Sequence, residues 1–219
     1  MINTTPQKTA DMVFANTTTE ELITDIFSGD YDFPSSGKTA LCLFGSYGTG
    51  KTTYASIFCK ELELAKSRHA IVANPMLVTC DKTENITQML SRCIASTNFL
   101  SFNHSGYHYF IFDEVDNLTA SAQRALKSFL NQNDIVCVLT TNYLDKVDKG
   151  LLNRCVALNF NSGSPDQVKL RVQHLLQQDG LAPLSDELID DIIQKSEGTW
   201  RNIIPAAFRL AKKQKSPKP

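Results

Sequence analysis

Gly45-Ser46-Tyr47-Gly48-Thr49-Gly50-Lys51-Thr52 is the stretch that decides the fold. It fits the pattern GxxxxGK[ST], and it stands between an apolar, β-rich run at residues 39–44 and a helix-like stretch at 52–66. Strand, glycine-rich turn, helix is the context that a phosphate-binding loop requires. Glycines let the backbone curl until successive N–H groups point inward, and the helix that follows presents its positive end. Gly45, Ser46, Tyr47, Gly48, Thr49, Gly50, Lys51, Thr52 and the adjoining Thr53 are therefore candidate nucleotide contacts. Lys51 is expected to reach the β- and γ-phosphates, and Thr52 to place its hydroxyl on Mg²⁺.

Working outward, four further apolar runs follow: one within 70–79, then 107–112, 135–140 and 156–160. The runs at 107–112 and 135–140 are apolar throughout, as strands covered on both faces must be. Helices are predicted at 52–66, 83–96 and 119–131. In the last of these Leu118, Ala122, Ala125, Leu126, Phe129 and Leu130 share a face, with Gln123, Arg124 and Lys127 mostly off it. Alternating strands and helices predict a doubly wound α/β unit with a five-stranded parallel sheet. After Phe160 the pattern changes. Asn161-Ser162-Gly163-Ser164-Pro165 reads as a hinge with a Ser cap and Pro at the first helical position. Helices are predicted at 165–178, 186–195 and 199–213, a small helical unit. The expected division is 1–161, 162–213 and a basic, disordered tail at 214–219.

Phe110-Ile111-Phe112-Asp113-Glu114 is an apolar strand that ends in two carboxylates, about sixty residues after the loop. Asp113 is expected to hold Mg²⁺ through water, because magnesium keeps much of its hydration shell. Glu114 is expected to orient and deprotonate an attacking water. Asn142, after Thr140-Thr141, offers an amide to that water or to the γ-phosphate. Asn142-Tyr143-Leu144-Asp145 departs from the guanine-reading NKxD at its second position, where Tyr143 replaces Lys. Adenine is the expected base.

Composition narrows the partners. With 22 basic and 23 acidic residues the formal charge is −1, so wholesale electrostatic wrapping of nucleic acid is excluded and any contact must come from a local basic face. Residues 161–219 are net positive by two, and four lysines crowd the last eight positions. No apolar run is long enough to span a membrane, and the N-terminus lacks a signal-peptide plan. Cys42, Cys59, Cys80, Cys93, Cys137 and Cys155 show no metal spacing and read as buried thiols of a reducing cytoplasm; the four histidines form no ligand pattern.

Three blocks together resemble the AAA+ ATPases, and within them the small subunits of sliding-clamp loaders of the replication factor C type. Residues 112–126 resemble the clamp-loader run DEADxLTxDAQxAL. Thr141-Asn142-Tyr143 with Leu152-Asn153-Arg154-Cys155 resembles the sensor-1 segment and the Ser-Arg-Cys motif, with Asn153 in place of Ser. Ser196-Glu197-Gly198-Thr199-Trp200-Arg201-Asn202 resembles the sensor-2 motif, with Thr199-Trp200 replacing its Asp-hydrophobe pair. Residues 7–13 carry a weaker likeness. The resemblance implies a P-loop NTPase of AAA+ type with ATP and Mg²⁺ as cofactors and a C-terminal helical lid. It implies that Arg154 is an arginine finger reaching ATP on a neighbouring subunit, that Arg201 is sensor 2 and that Met12 and Val13 line the adenine pocket. Clamp loaders also carry a helical collar, and on this resemblance the sequence is expected to lack one.

The resemblance further implies assembly with itself or with related AAA+ subunits as a ring, spiral or filament. Double-stranded DNA would face Arg124 and Lys127, in replication or in transposition and mobile-element targeting. The alternative is an ATP-switched oligomeric scaffold that recruits a protein partner without touching DNA. A small-molecule kinase fits poorly, because the paired carboxylates, sensors and trans-arginine serve attack by water.

Overall fold

The computed structural model describes residues 4–35, 37–80 and 86–215. Its centre is a five-stranded, all-parallel sheet of β1 (Ala40–Phe44), β2 (Met76–Thr79), β3 (His108–Asp113), β4 (Ile135–Thr141) and β5 (Cys155–Asn159). The spatial order is β2-β3-β4-β1-β5. Helices α1 (Thr17–Ser28), α2 (Lys51–Ser67), α3 (Ile86–Thr97), α4 (Ala120–Phe129) and the short α5 (Lys149–Leu152) accompany it; α6 (Pro165–Gln178), α7 (Asp186–Lys195) and α8 (Trp200–Lys215) follow.

Alternation along the strands explains why they read as apolar throughout. Ala40 and Cys42 of β1 face a core with Phe110, Phe112, Leu126 and Phe129. Leu41 and Leu43 face the opposite core, with Tyr54, Phe58 and Leu62 of α2 and Ile23 of α1. Every residue of β4 is buried, so neither of its faces can carry a polar period. The last three helices close on their own cluster of Val168, Val172, Leu176, Ile189, Ile203 and Ala207.

Caps set the helix starts. Asn16 accepts from Thr19 N at 2.9 Å, Thr119 from Ala122 N at 3.3 Å, and Ser164 forms a reciprocal box with Gln167 behind Pro165. α2 begins differently: its cap is Gly50, left-handed at φ 95°, with no side-chain acceptor. Its first N–H groups therefore face the glycine loop.

The structure departs from expectation at particular places. Gln123, placed off the apolar face of α4, is buried; its amide donates to Leu118 O and Lys146 O and accepts from Asp148 N at 2.6 Å. Lys127 is half-buried and leans towards Asp148, 4.0 Å away, whereas Arg124 is exposed. α8 runs on to Lys215, through the first two positions of the anticipated tail, and Lys218 lies outside the described residues. Residues 83–85 of the helix expected at 83–96 also lie outside them. α1 had no sequence forecast, its apolar spacing being carried by only a few residues; it buries Ile23 and Ile26. All six cysteines are buried, and burial pushes the Cys42 thiol up to about 12. No helix of the described residues is long and apolar enough to cross a membrane.

Candidate nucleotide site

Strand order makes the site. Because β4 lies between β1 and β3, the loop after β1 and the carboxylates after β3 meet at one edge of the sheet, with the end of β4 between them. In open parallel sheets that edge, at the carboxyl ends of the strands, is where ligands bind. Thr52 Oγ1 donates to Asp113 Oδ1 at 2.8 Å, and Thr140 Oγ1 donates to the same oxygen at 2.6 Å. The Thr140 hydroxyl in turn accepts from Glu114 N at 2.9 Å. Thr140 thus aligns both carboxylate residues from the intervening strand.

Lys51 is buried at the loop's centre. Its ammonium donates to Gly45 O at 2.8 Å, Ser46 O at 2.7 Å and Asn142 Oδ1 at 2.8 Å. Burial holds its pKa below the usual lysine value, while Asp113, Asp116 and Glu114 pull the other way. Glu114 has a left-handed backbone, φ 60° and ψ 51°, and opens a 3-10 turn at Val115–Asn117. Asn117 Nδ2 donates to Glu114 Oε2 at 3.2 Å, holding the carboxylate at the sheet edge.

The loop is pressed from above by the segments after β5. Ser46 N donates to Asn161 Oδ1 at 2.9 Å, and Trp200 N, at the start of α8, donates to Gly48 O at 3.0 Å. Two adjoining cavities result. One of about 150 Å³ lies among the loop, Asp113, Glu114, Asn142 and Arg201. The other, of about 300 Å³, lies between Met12, Val13, Leu175, Trp200 and Ile204, and Arg201 lines it too. A polar phosphate end and a base end with an apolar wall are what a nucleoside triphosphate needs. Thr52 and Asp113 present hard oxygen donors side by side, the donor set Mg²⁺ takes.

The N-terminal segment is tied to both α2 and α6. Thr9 N donates to the Glu61 carboxylate at 3.1 Å, and Asp11 Oδ1 lies 3.6 Å from Arg171 Nη1 of α6. Burial raises the Asp11 pKa, but hydrogen bonds from Gln7 N and Lys8 N and the Arg171 charge outweigh it, so the net shift is downward.

Gly45 to Thr53, Asp113, Glu114, Asn142, Arg201, Met12 and Val13 are therefore brought together. Arg154, Arg124 and Lys127 are not. Arg154 precedes β5 and lies at the opposite edge of the sheet, where its carbonyl accepts from Ala40 N. Its Nε donates to Asn131 Oδ1 at 2.7 Å and its Nη1 to Gly150 O at 2.9 Å. Sequence reasoning missed Thr140, Asp116, Asn117, Asn161 and the lid residues Leu175 and Ile204. Thr140 left a trace as part of a threonine pair that breaks an apolar run, and Asp116 as the second Asp of the run that resembles DEADxLT.

A parallel α/β sheet with a phosphate loop after β1, paired carboxylates after β3 and a helical unit over the base end defines a P-loop nucleoside triphosphatase. The chain belongs to the AAA family, the ATPase family associated with various cellular activities, whose model matches residues 41–161. Curated proteins similar to it include replication factor C subunits. Replication factor C small subunit 1 of Pyrobaculum arsenaticum is 26% identical over 166 residues, 75% of this chain and 49% of that protein. Replication factor C subunit 5 of Mus musculus is 27% identical over 203 residues, 91% of this chain and 56% of that protein. The chain thus spans about half the length of the curated relatives it matches. Among solved structures, the Thermotoga maritima RuvB Holliday junction branch migration motor superposes with a TM-score of 0.71 at 16% identity. That match covers 95% of this chain and 65% of that one, and shows the fold. The chain is an AAA-family ATPase that resembles replication factor C subunits.

Proposed function

We propose that this chain hydrolyses ATP at the interfaces of an oligomer and uses the cycle to drive assembly or remodelling on DNA, in replication or in mobile-element targeting. Within one protomer Glu114 takes the proton of the water that attacks the γ-phosphorus, Lys51 neutralises phosphate charge, and Asn142 and Arg201 contact the γ-phosphate. Thr52 and Asp113 would hold Mg²⁺, which supplies charge neutralisation on the phosphate oxygens when bound. Met12 and Val13 line the base end.

The position of Arg154 carries the trans reading. Ala40, whose N–H meets the Arg154 carbonyl, and Gly45 are separated by the whole of β1, about 16 Å at about 3.3 Å per residue. Arg154 cannot serve its own pocket from there, and it stands where it could enter a neighbour's. Arg124, exposed on α4, supports contact with duplex DNA, and six buried thiols support a reducing cytoplasm.

The test is turnover per protomer against protein concentration, with and without duplex DNA. The expected result is a rate that climbs with concentration and with DNA. Arg154→Ala should still bind ATP but hydrolyse it on the order of 10³-fold more slowly. Mixing it with Glu114→Gln protomers should restore part of the rate, because each supplies what the other lacks. Full turnover by a dispersed Arg154→Ala protomer would refute the shared site.

A second reading, an ATP-switched scaffold for a protein partner, draws on Phe99, Leu100 and Phe102, which are 74%, 94% and 81% exposed. Exposed apolar clusters of this kind suit protein contacts. Turnover indifferent to DNA would favour it.

A further inference from the structure

One carboxylate near the site has no role in the chemistry described so far. Asp116 sits in the 3-10 turn that follows Glu114, half-buried against the end of β4. Its Oδ1 accepts from Thr141 Oγ1 at 2.8 Å and from Asn142 N at 3.2 Å. Thr141 is the last residue of β4 and fully buried, and Asn142 is the first residue beyond it. Past the end of a ladder a backbone N–H needs a partner, and here the partner is a side chain from the neighbouring strand's turn. The Thr141 hydroxyl also accepts from Tyr143 N at 3.1 Å, so the bend after β4 is built around the Asp116 carboxylate.

The consequence runs on to the phosphate loop. With its backbone tied to Asp116, Asn142 places Oδ1 2.8 Å from Lys51 Nζ. The same turn carries Asn117, which holds the Glu114 carboxylate. Asp116 and Asn117 thus link the two polar ends of the phosphate cavity through three residues of backbone. The non-glycine left-handed conformation of Glu114 is what folds that backbone tightly enough; strained residues of this kind gather at functional sites. Asp116 also adds negative field at Lys51, opposing the burial that depresses its pKa.

We infer that Asp116 is a positioning residue for hydrolysis: it fixes Asn142 against Lys51 and the γ-phosphate through Thr141 Oγ1 and Asn142 N. The inference rests on the catalytic reading of Asn142 given above. It differs from a merely structural tie in what it moves. A structural tie would change unfolding and nucleotide affinity; a positioning tie changes kcat while affinity stays.

The experiment is a double-mutant cycle of Asp116→Asn and Asn142→Ala in the full chain, at saturating ATP, protein and duplex DNA. Binding of a fluorescent ATP analogue and thermal unfolding are measured in parallel. Asp116→Asn is near-isosteric and keeps an acceptor oxygen but removes the charge that strengthens both bonds, so it should lower kcat by about 10-fold, with affinity and Tm held. The double variant should be no slower than Asn142→Ala alone. Thr141→Val deletes one of the two bonds to Asp116, together with the acceptor of Tyr143 N, without touching the charge, and should lower kcat in the same direction; it also serves if Asp116→Asn folds poorly. Wild-type kcat in both Asp116→Asn and Thr141→Val overturns the proposal, as does a fully additive cycle. If Asn142→Ala itself turns over normally, it is the reading of Asn142 that fails.

Discussion

Gly45 illustrates how a single residue admits the rest of the site. A Cβ there would lie 2.7 Å from Asn161 N and 2.7 Å from Phe160 C, both backbone atoms with no rotamer to change, and its φ is 152°. Gly29, at the end of α1, also has positive φ, 90°, but an added Cβ meets nothing within 4 Å. The two substitutions separate close approach from backbone strain. Gly29→Ala should cost about 1–2 kcal/mol of stability and leave ATP affinity unchanged. Gly45→Ala should cost about 1–3 kcal/mol through displaced backbone and should also weaken ATP binding, since Ser46 N and the loop carbonyls move with it. Thermal unfolding and ATP titration of both variants check this; equal ATP affinity in the two would show that the approach to Asn161 is irrelevant to the pocket.

At the scale of elements, the C-terminal half of α2 is bound to the loop before β3 by one buried carboxylate. Glu63 accepts from Ser67 Oγ at 2.8 Å, Ser105 N at 3.0 Å and Tyr109 Oη at 2.9 Å, and from the Ser105 hydroxyl. Burial raises its pKa, but the bonds from Ser105, Ser67 and Tyr109 prevail and the net shift is below the ordinary 4.5. A carboxylate whose folded pKa lies below its unfolded one contributes stability that is present above the unfolded pKa and lost as pH falls through the folded one. Glu63→Gln keeps the shape but turns donors towards donors, at a cost of about 1–3 kcal/mol near neutrality. Tm measured from pH 3 to 7 should show the wild-type advantage constant above about pH 5 and shrinking below about pH 4.5. A gap independent of pH would refute the charge-based account.

For the molecule as a whole, a formal charge of −1 confines the proposed duplex contact to a local basic face. Arg124 is exposed, while Lys127 is half-buried near Asp148, so the two α4 cations differ in their access to a partner. Replacing both with Ala should weaken duplex binding and reduce the slope of log K against log salt by up to about two, with Arg124 supplying the larger part. Binding titrations between 50 and 200 mM salt measure it; an unchanged slope would move the DNA face elsewhere.

The amino-acid sequence by itself determined the loop at Gly45–Thr52, the carboxylates Asp113 and Glu114, all five strands and the cap at Ser164. These are local signals, carried by residues a few positions apart, so periodicity and spacing suffice to read them. Tertiary structure alone decided that β4 enters between β1 and β3, and with it the roles of Thr140 and Asp116, which bond across strands far apart in sequence. It alone buried Gln123, set Arg154 at the sheet edge remote from its own pocket, and brought Leu175 and Ile204 over the base end. Strand order and lid placement come from which apolar faces bury one another, a property of the whole packed core that no window of neighbouring residues contains.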